Sequence, residues 1–308
     1  MASGAAKRCS SGARSMSFLC RADGTDGFDF DYLSTLPDSA YDLVLSSGFL
    51  AFSSHSGFLK AVEAAGLQVS GVMGTSAGAL SGSLYCAGYS PDAVARELSR
   101  VAPINLLRPS CRPWRGGAIS LHKVTERLRD LLPPSFEDLD TEFAVGVVSK
   151  DGDYRLIDSG PLPEAVAASA AIPYIFNPVH IPGQAGGPFK DGGLADRTGL
   201  VAWRRRREAQ ARARAGEALA VGAAPVAPAA LVHLIARSSR FSGADDVEAT
   251  GQRRVTVVRS PRSGVNFFDL GNFEDQMAAA FQRAQPAMRQ VRERHSSRRQ
   301  PSPIRRAS

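Results

Sequence analysis

Short apolar runs alternate with stretches of helical periodicity along most of this chain. Tyr41 to Ser47 (YDLVLSS) is nearly continuous in apolar character and reads as a buried strand. Ser54 to Ala65 puts Phe58, Leu59 and Val62 on one helical face, and Gly66 stops it. Val69 to Met73 predicts the next strand, followed by a small-residue helix from Ala77 to Ala87. Pro91 starts another helix, which ends near Val101. Residues 102 to 118, rich in Pro, Arg and Gly, read as loop. Ser120 suits the cap of a helix carrying Leu121, Val124, Leu128 and Leu131 at helical spacing, a face expected to pack on the core. Phe143 to Val148 and Tyr154 to Ile157 flank Asp151-Gly152 and predict a hairpin. Leu162 to Ala171 is helical up to Pro173, and Val179 to Pro182 and Phe189-Lys190 flank a glycine-rich turn. Leu231 to Ala236 and Val255 to Val258 are two further strands, and Asn272 to Gln290 is a closing helix. Strands alternating with helices predict an α/β fold, a three-layer sandwich around a mostly parallel central sheet.

Composition divides this pattern into regions. Residues 1–39 contain a stretch rich in arginine and serine with no acid before Asp23, and no apolar core of a secretory signal. That leader resembles a chloroplast or mitochondrial transit peptide; the alternative is a disordered N-terminus with no address. Residues 40–202 carry the main pattern. Residues 203–230 are almost entirely Ala, Arg, Gly, Glu and Pro, and read as a helical or disordered insertion outside the core. Residues 231–290 supply the strands and helix that complete the domain, and 291–308 form a basic disordered tail. The net charge of +7 is concentrated in Arg204 to Arg207, Arg212, Arg214 and the tail. Neither cluster is interleaved with aromatics, and zinc-finger spacing is absent, so the arginines read as a solvated loop and tail and nucleic acid is not read as a partner. No uninterrupted apolar run approaches the roughly 18 residues that span a bilayer. The four cysteines, at positions 9, 20, 86 and 111, lack metal-ligand and redox spacing and read as free thiols. No metal or other cofactor is implied.

The chemistry-bearing stretch is Gly74-Thr75-Ser76-Ala77-Gly78. It lies between a predicted strand and a predicted helix, the context of a nucleophile elbow. Gly74 and Gly78 allow a turn too sharp for a Cβ. Ser76 is held under a helix N-terminus whose free N–H groups, from Ala77 on, suit a developing oxyanion. A serine hydroxyl also needs a base. Of the histidines downstream, His122 falls on a helix face, His180 and His233 in strands and His295 in the basic tail, so all four read as structural or exposed. Asp191-Gly192-Gly193 is the better candidate. Its two glycines let the backbone pass close to another element, and its carboxylate is suited to take the Ser76 proton directly. The plain alternative is an Asp-Gly turn.

Four ordered blocks resemble the patatin-like phospholipase family. They are Leu43 to Ser46 with His55 to Gly66, then Gly74 to Gly78, then Ala165 to Pro173, then Asp191-Gly192-Gly193. The resemblance covers about residues 40 to 200. It implies a patatin-like fold and a serine lipid acyl hydrolase, an esterase of the phospholipase A or galactolipase type. In that reading Ser76 is the nucleophile, Asp191 the proton acceptor, and no histidine takes part. The expected partner is a lipid or other acyl ester, with peripheral membrane contact.

One departure falls on chemistry. The family's glycine-rich oxyanion loop, G-G-G-x-R-G, aligns with Ser47-Gly48-Phe49-Leu50-Ala51-Phe52, which keeps only the middle glycine. A positive φ at Phe49 or Phe52 would be strained. Three readings stay open. The N–H groups of Gly48 and Phe49 still form the hole, with the aromatic rings turned to an acyl chain; or Ala77 carries most of it; or the chain is a weak or inactive relative that binds a lipid or a partner. The intact serine and aspartate argue against the last.

Overall fold

The computed structural model describes residues 40–111, 113–215, 227–238 and 243–299. The transit-peptide reading of the leader, the second half of the Ala/Arg-rich stretch and the end of the basic tail lie outside the described residues. The first half of the chain forms β1 (Ala40–Leu45), α1 (Phe52–Ala64), β2 (Gln68–Gly74), α2 (Ala77–Cys86), α3 (Pro91–Ser99), α4 (Pro103–Leu106), β3 (Arg108–Pro109), β4 (Gly117–Ser120), α5 (His122–Leu131) and β5 (Glu142–Val148). The second half forms β6 (Tyr154–Ile157), α6 (Leu162–Ser169), β7 (Tyr174–Phe176), β8 (Lys190–Asp191), α7 (Leu200–Ala215), β9 (Ala229–Ile235), β10 (Val255–Ser260) and α8 (Phe273–Arg299).

The main sheet has the order β10-β9-β1-β2-β5-β6, and β8 also pairs with β5. The five strands from β10 to β5 run parallel, while β6 and β8 are antiparallel to β5. Successive β1 residues show why this is a three-layer fold. Leu43 and Leu45 enter a core shared with helices α1, α2, α3, α5, α6 and α8. Val44, between them, points to the opposite face and packs with Leu200 and Trp203 of α7. Both sheet faces are therefore covered, as continuous apolar strands require.

Five expectations change. The Ala/Arg-rich stretch is not outside the core over its described part. Trp203, Arg204 and Arg207 of α7 are buried against the sheet. Asp42 explains this. It is a fully buried carboxylate in an apolar strand, and Arg207 and the Trp203 indole N–H both reach it, at 3.0 Å. Arg206 and Arg207 also pair with Glu142, and Arg206 with Asp158, so these arginines are consumed by internal partners. Second, residues 102–118 are not all loop: α4, β3 and the start of β4 lie there, and β3-β4-β7 make a second, three-stranded sheet. Third, Ser120 ends β4 rather than capping α5, although its hydroxyl still accepts the His122 N–H at 3.2 Å. Fourth, His180 is exposed and outside any strand. Fifth, the tail is not disordered over its described part, since α8 continues to Arg299 and Val291 is buried in the core. Among the described residues, no helix is long and apolar enough to cross a membrane.

Candidate active site

Sheet topology brings the serine and aspartate together. Along β5, residues up to Val145 pair with β2, whose last residue, Gly74, lies opposite Val145. Two positions further on, Val147 pairs with Asp191. The other edge of β5 is occupied by β6, so β8 takes the place β2 has just left. Ser76 follows the end of β2 and Asp191 ends β8, so both side chains arrive at one point beyond the sheet.

The elbow is tightly specified. A Cβ on Gly78 would lie 2.1 Å from the Leu45 carbonyl oxygen, and one on Gly74 would lie 2.6 Å from the Gly78 oxygen. Ser76 itself has φ 55° and ψ −116°, a conformation that costs a non-glycine residue about 1–3 kcal/mol. The Ser76 N–H donates to Ser169 Oγ at 2.9 Å, and the Ser169 hydroxyl donates to the Gly146 carbonyl at 2.7 Å. Ser169, the last residue of the alanine-rich α6, thus clamps the strained residue to β5. Within the Ala165 to Pro173 block, the sequence pattern alone gives Ser169 no role.

Asp191 is almost fully buried. Its Oδ1 accepts the Gly193 N–H at 2.7 Å, and the Ser76 hydroxyl is near enough to favour the charged carboxylate. Burial pushes its pKa from 3.8 up to about 6; the nearby Ser76 hydroxyl, the Gly193 N–H and the Arg197 charge pull the other way. The group is ionised at neutral pH yet a far better base than a free aspartate, which suits it to accept a serine proton. Gly192 and Gly193 are buried where the turn passes Gly146 and Ser47.

The altered loop is held by groups outside it. Its positive φ falls on Leu50, at 49°, and not on Phe49 or Phe52. Gly48 is needed for close packing, since a Cβ there would lie 2.8 Å from the Ile235 side chain. Arg197, 2% exposed, donates to the Ser47 and Ile235 carbonyls at 2.8 and 2.7 Å and to Ser47 Oγ at 3.2 Å. The N–H groups of Gly48 and Phe49 enter no backbone hydrogen bond among the described residues. The sequence signal for Arg197 was weak: one arginine after Asp191, in a turn with no pattern of its own.

Ser76 and Ala77 open onto an apolar cavity of about 960 Å3, mouth included. Phe49, Phe52, Leu98, Leu107, Leu121 and Leu128 are among its walls. The α5 stripe packs on the core as expected, but the same leucines also face this cavity. Phe49 stacks edge-on against Phe267, with ring centroids 5.0 Å apart.

The histidines lie elsewhere. His122 is exposed on α5. His55 and His233 are fully buried and spend their nitrogens on structural partners. His55 Nε2–H must donate to the Ser46 carbonyl at 2.9 Å, which leaves its Nδ1 to accept from His233 Nδ1–H at 2.9 Å. His233 Nε2 then accepts the Ser260 hydroxyl at 3.0 Å. Each neutral tautomer is fixed by that chain, and burial holds the His55 pKa down to about 3.

A strained serine between a strand and a helix, a buried aspartate on the neighbouring turn and an apolar cavity are the parts that a serine acyl hydrolase requires. The family model for patatin-like phospholipase matches residues 43–202, just over half of the chain, and this chain belongs to that family. It is 30% identical over 158 residues to uncharacterised NTE family proteins of Mycobacterium tuberculosis and Mycobacterium bovis. That match covers 50% of this chain and 42% of those relatives' length. Solved structures with a similar fold include VipD from Legionella pneumophila, at a TM-score of 0.48 and 14% identity over 83% of this chain and 67% of that one. The type III effector protein ExoU matches at 0.46 and 14% over 82% and 54%.

Proposed function

We propose that this protein hydrolyses acyl esters of polar lipids through a Ser76–Asp191 dyad. The observation that carries the reading is the strained Ser76 set beside a buried carboxylate of raised pKa, at the mouth of an apolar cavity. Ser76 Oγ attacks the ester carbonyl as its proton passes to Asp191. The carbonyl oxygen becomes an oxyanion, held by the N–H groups of Ala77, Gly48 and Phe49. The alcohol leaves with the proton held by Asp191, and an acyl-Ser76 intermediate remains. Asp191 then takes a proton from water, which attacks the acyl carbonyl, and collapse of the second oxyanion returns the proton to Ser76. Because the dyad needs Asp191 ionised, turnover is lost as pH falls through about 6. The acyl chain lies among Phe49, Leu98, Leu121 and Leu128.

Peripheral contact with a lipid surface belongs to the same proposal. Ile104, Tyr174 and Phe268 are exposed beside Pro103, Ile172 and Phe267 of the cavity wall. The dyad is tested by Ser76→Ala. Hydrolysis of p-nitrophenyl butyrate should fall to background in a variant with the wild-type unfolding curve; wild-type turnover would remove Ser76 from the mechanism.

A further inference from the structure

We propose that Arg197 is a positioning residue that aims the oxyanion hole of this chain, in place of the arginine its loop lacks. The inference rests on the hydrolase reading above. Ala51 stands where the resemblance leads one to expect arginine in the loop. A guanidinium reaches the loop from the other side, on the turn after Asp191.

Two consecutive peptide units show what it does. In the Ser46–Ser47 unit, the carbonyl accepts His55 Nε2–H at 2.9 Å and the N–H donates to the Arg197 backbone carbonyl at 2.7 Å. That unit is fixed at both ends. In the Ser47–Gly48 unit, the carbonyl accepts Arg197 Nη2–H at 2.8 Å and the Ser46 hydroxyl at 3.2 Å. A trans peptide directs its N–H opposite to its C=O. Anchoring the Ser47 carbonyl on Arg197 therefore turns the Gly48 N–H away from Arg197. The residues that follow, Phe49 and Leu50, lie on the cavity wall with Ser76 and Ala77. A cation on the carbonyl also polarises the whole peptide unit and strengthens its N–H as a donor.

The arginine is itself held in place. Nη1 pairs with Asp245, which also binds Arg237, and Nε donates to Ser47 Oγ. Nη2 bridges the Ser47 and Ile235 carbonyls, tying the loop to the end of β9. This fork requires a planar guanidinium; one ammonium does not span Asp245, Ser47 Oγ and two carbonyls.

The test compares Arg197→Ala, Arg197→Lys and Ser76→Ala with the wild type on p-nitrophenyl butyrate, with urea unfolding of each. Removing an oxyanion donor outright lowers kcat by about 10²–10³, so misaiming one should lower it by about 10- to 100-fold with KM within about twofold. Arg197→Lys should stay impaired, and added guanidinium should restore part of the kcat of Arg197→Ala. A loss carried by stability or KM alone, with kcat within about twofold of wild type in either folded variant, overturns the proposal. Should neither variant fold, Asp245→Asn decides, since it loosens the guanidinium while leaving it present: kcat should fall at unchanged KM, and a wild-type kcat overturns the proposal. Full activity in Ser76→Ala would instead overturn the hydrolase reading on which it rests.

Discussion

Asp191→Asn separates the chemical role of this carboxylate from its energetic cost. The side chain keeps its shape and can still accept the Gly193 N–H, but it carries no charge. In the wild type, burial raises the folded-state pKa from 3.8 to about 6. At about 1.4 kcal/mol for each tenfold change in proton affinity, the ionised carboxylate destabilises the fold by about 3 kcal/mol. The sign follows from linkage. Below about pH 4 both states are protonated, and the cost is absent. Between 4 and 6 the unfolded chain ionises first, so wild-type stability declines as pH rises. Above 6 both states are ionised, and the full cost remains. The amide of the variant has no such titration. Urea unfolding of both proteins from pH 4 to 8 should therefore show the variant gaining on the wild type by about 2.5 kcal/mol across that range, most of it before pH 6. His55 and His233, held neutral by burial, lower stability in acid in both proteins and cancel in the difference. Hydrolysis by the variant should be near background throughout. A stability difference independent of pH would refute the raised pKa, and substantial turnover would refute the role of Asp191 as base.

Phe49→Ala should weaken transition-state binding of long acyl esters more than short ones, by up to about 0.8 kcal/mol, or roughly fourfold in kcat/KM, for each methylene no longer buried; a series from acetate to palmitate reads this, and a uniform loss would place the chain elsewhere. Arg207→Met should destabilise the protein by about 3–5 kcal/mol in urea unfolding, because Asp42 is left in the sheet without its cation; a loss below about 1 kcal/mol would show that the Ser70 hydroxyl, which donates to Asp42 at 2.7 Å, and the Trp203 N–H suffice to hold it.

Much of this arrangement is legible in the residues. The apolar runs and the helical spacing of Phe58, Leu59 and Val62 follow from burial on two sheet faces, so the three-layer fold can be read from them. The glycines around Ser76 carry their own steric signature. What brings Asp191 to Ser76 is not local: β8 is two residues long, and its place on β5 depends on where β2 stops. The part played by α7 was hidden by composition, because an arginine-rich stretch looks solvated until its counter-charges are found. Asp42, alone in an apolar strand, was the available clue that a cation must come to it. Ser169 and Arg197 were hidden for a related reason. Each acts on backbone groups, and backbone partners leave no trace in side-chain pattern. The altered loop avoids strain at Phe49 and Phe52 because the positive φ falls on Leu50, and it is anchored by Arg197 and His55.

The most direct measurement is covalent labelling with a fluorophosphonate, followed by mass mapping of the modified residue across pH 4 to 8. The account predicts one adduct, on Ser76, formed at a rate that rises with pH around an apparent pKa near 6 and is lost in Asp191→Asn. An adduct on any other residue, or ester hydrolysis that persists with Ser76 unmodified by the probe, would contradict it.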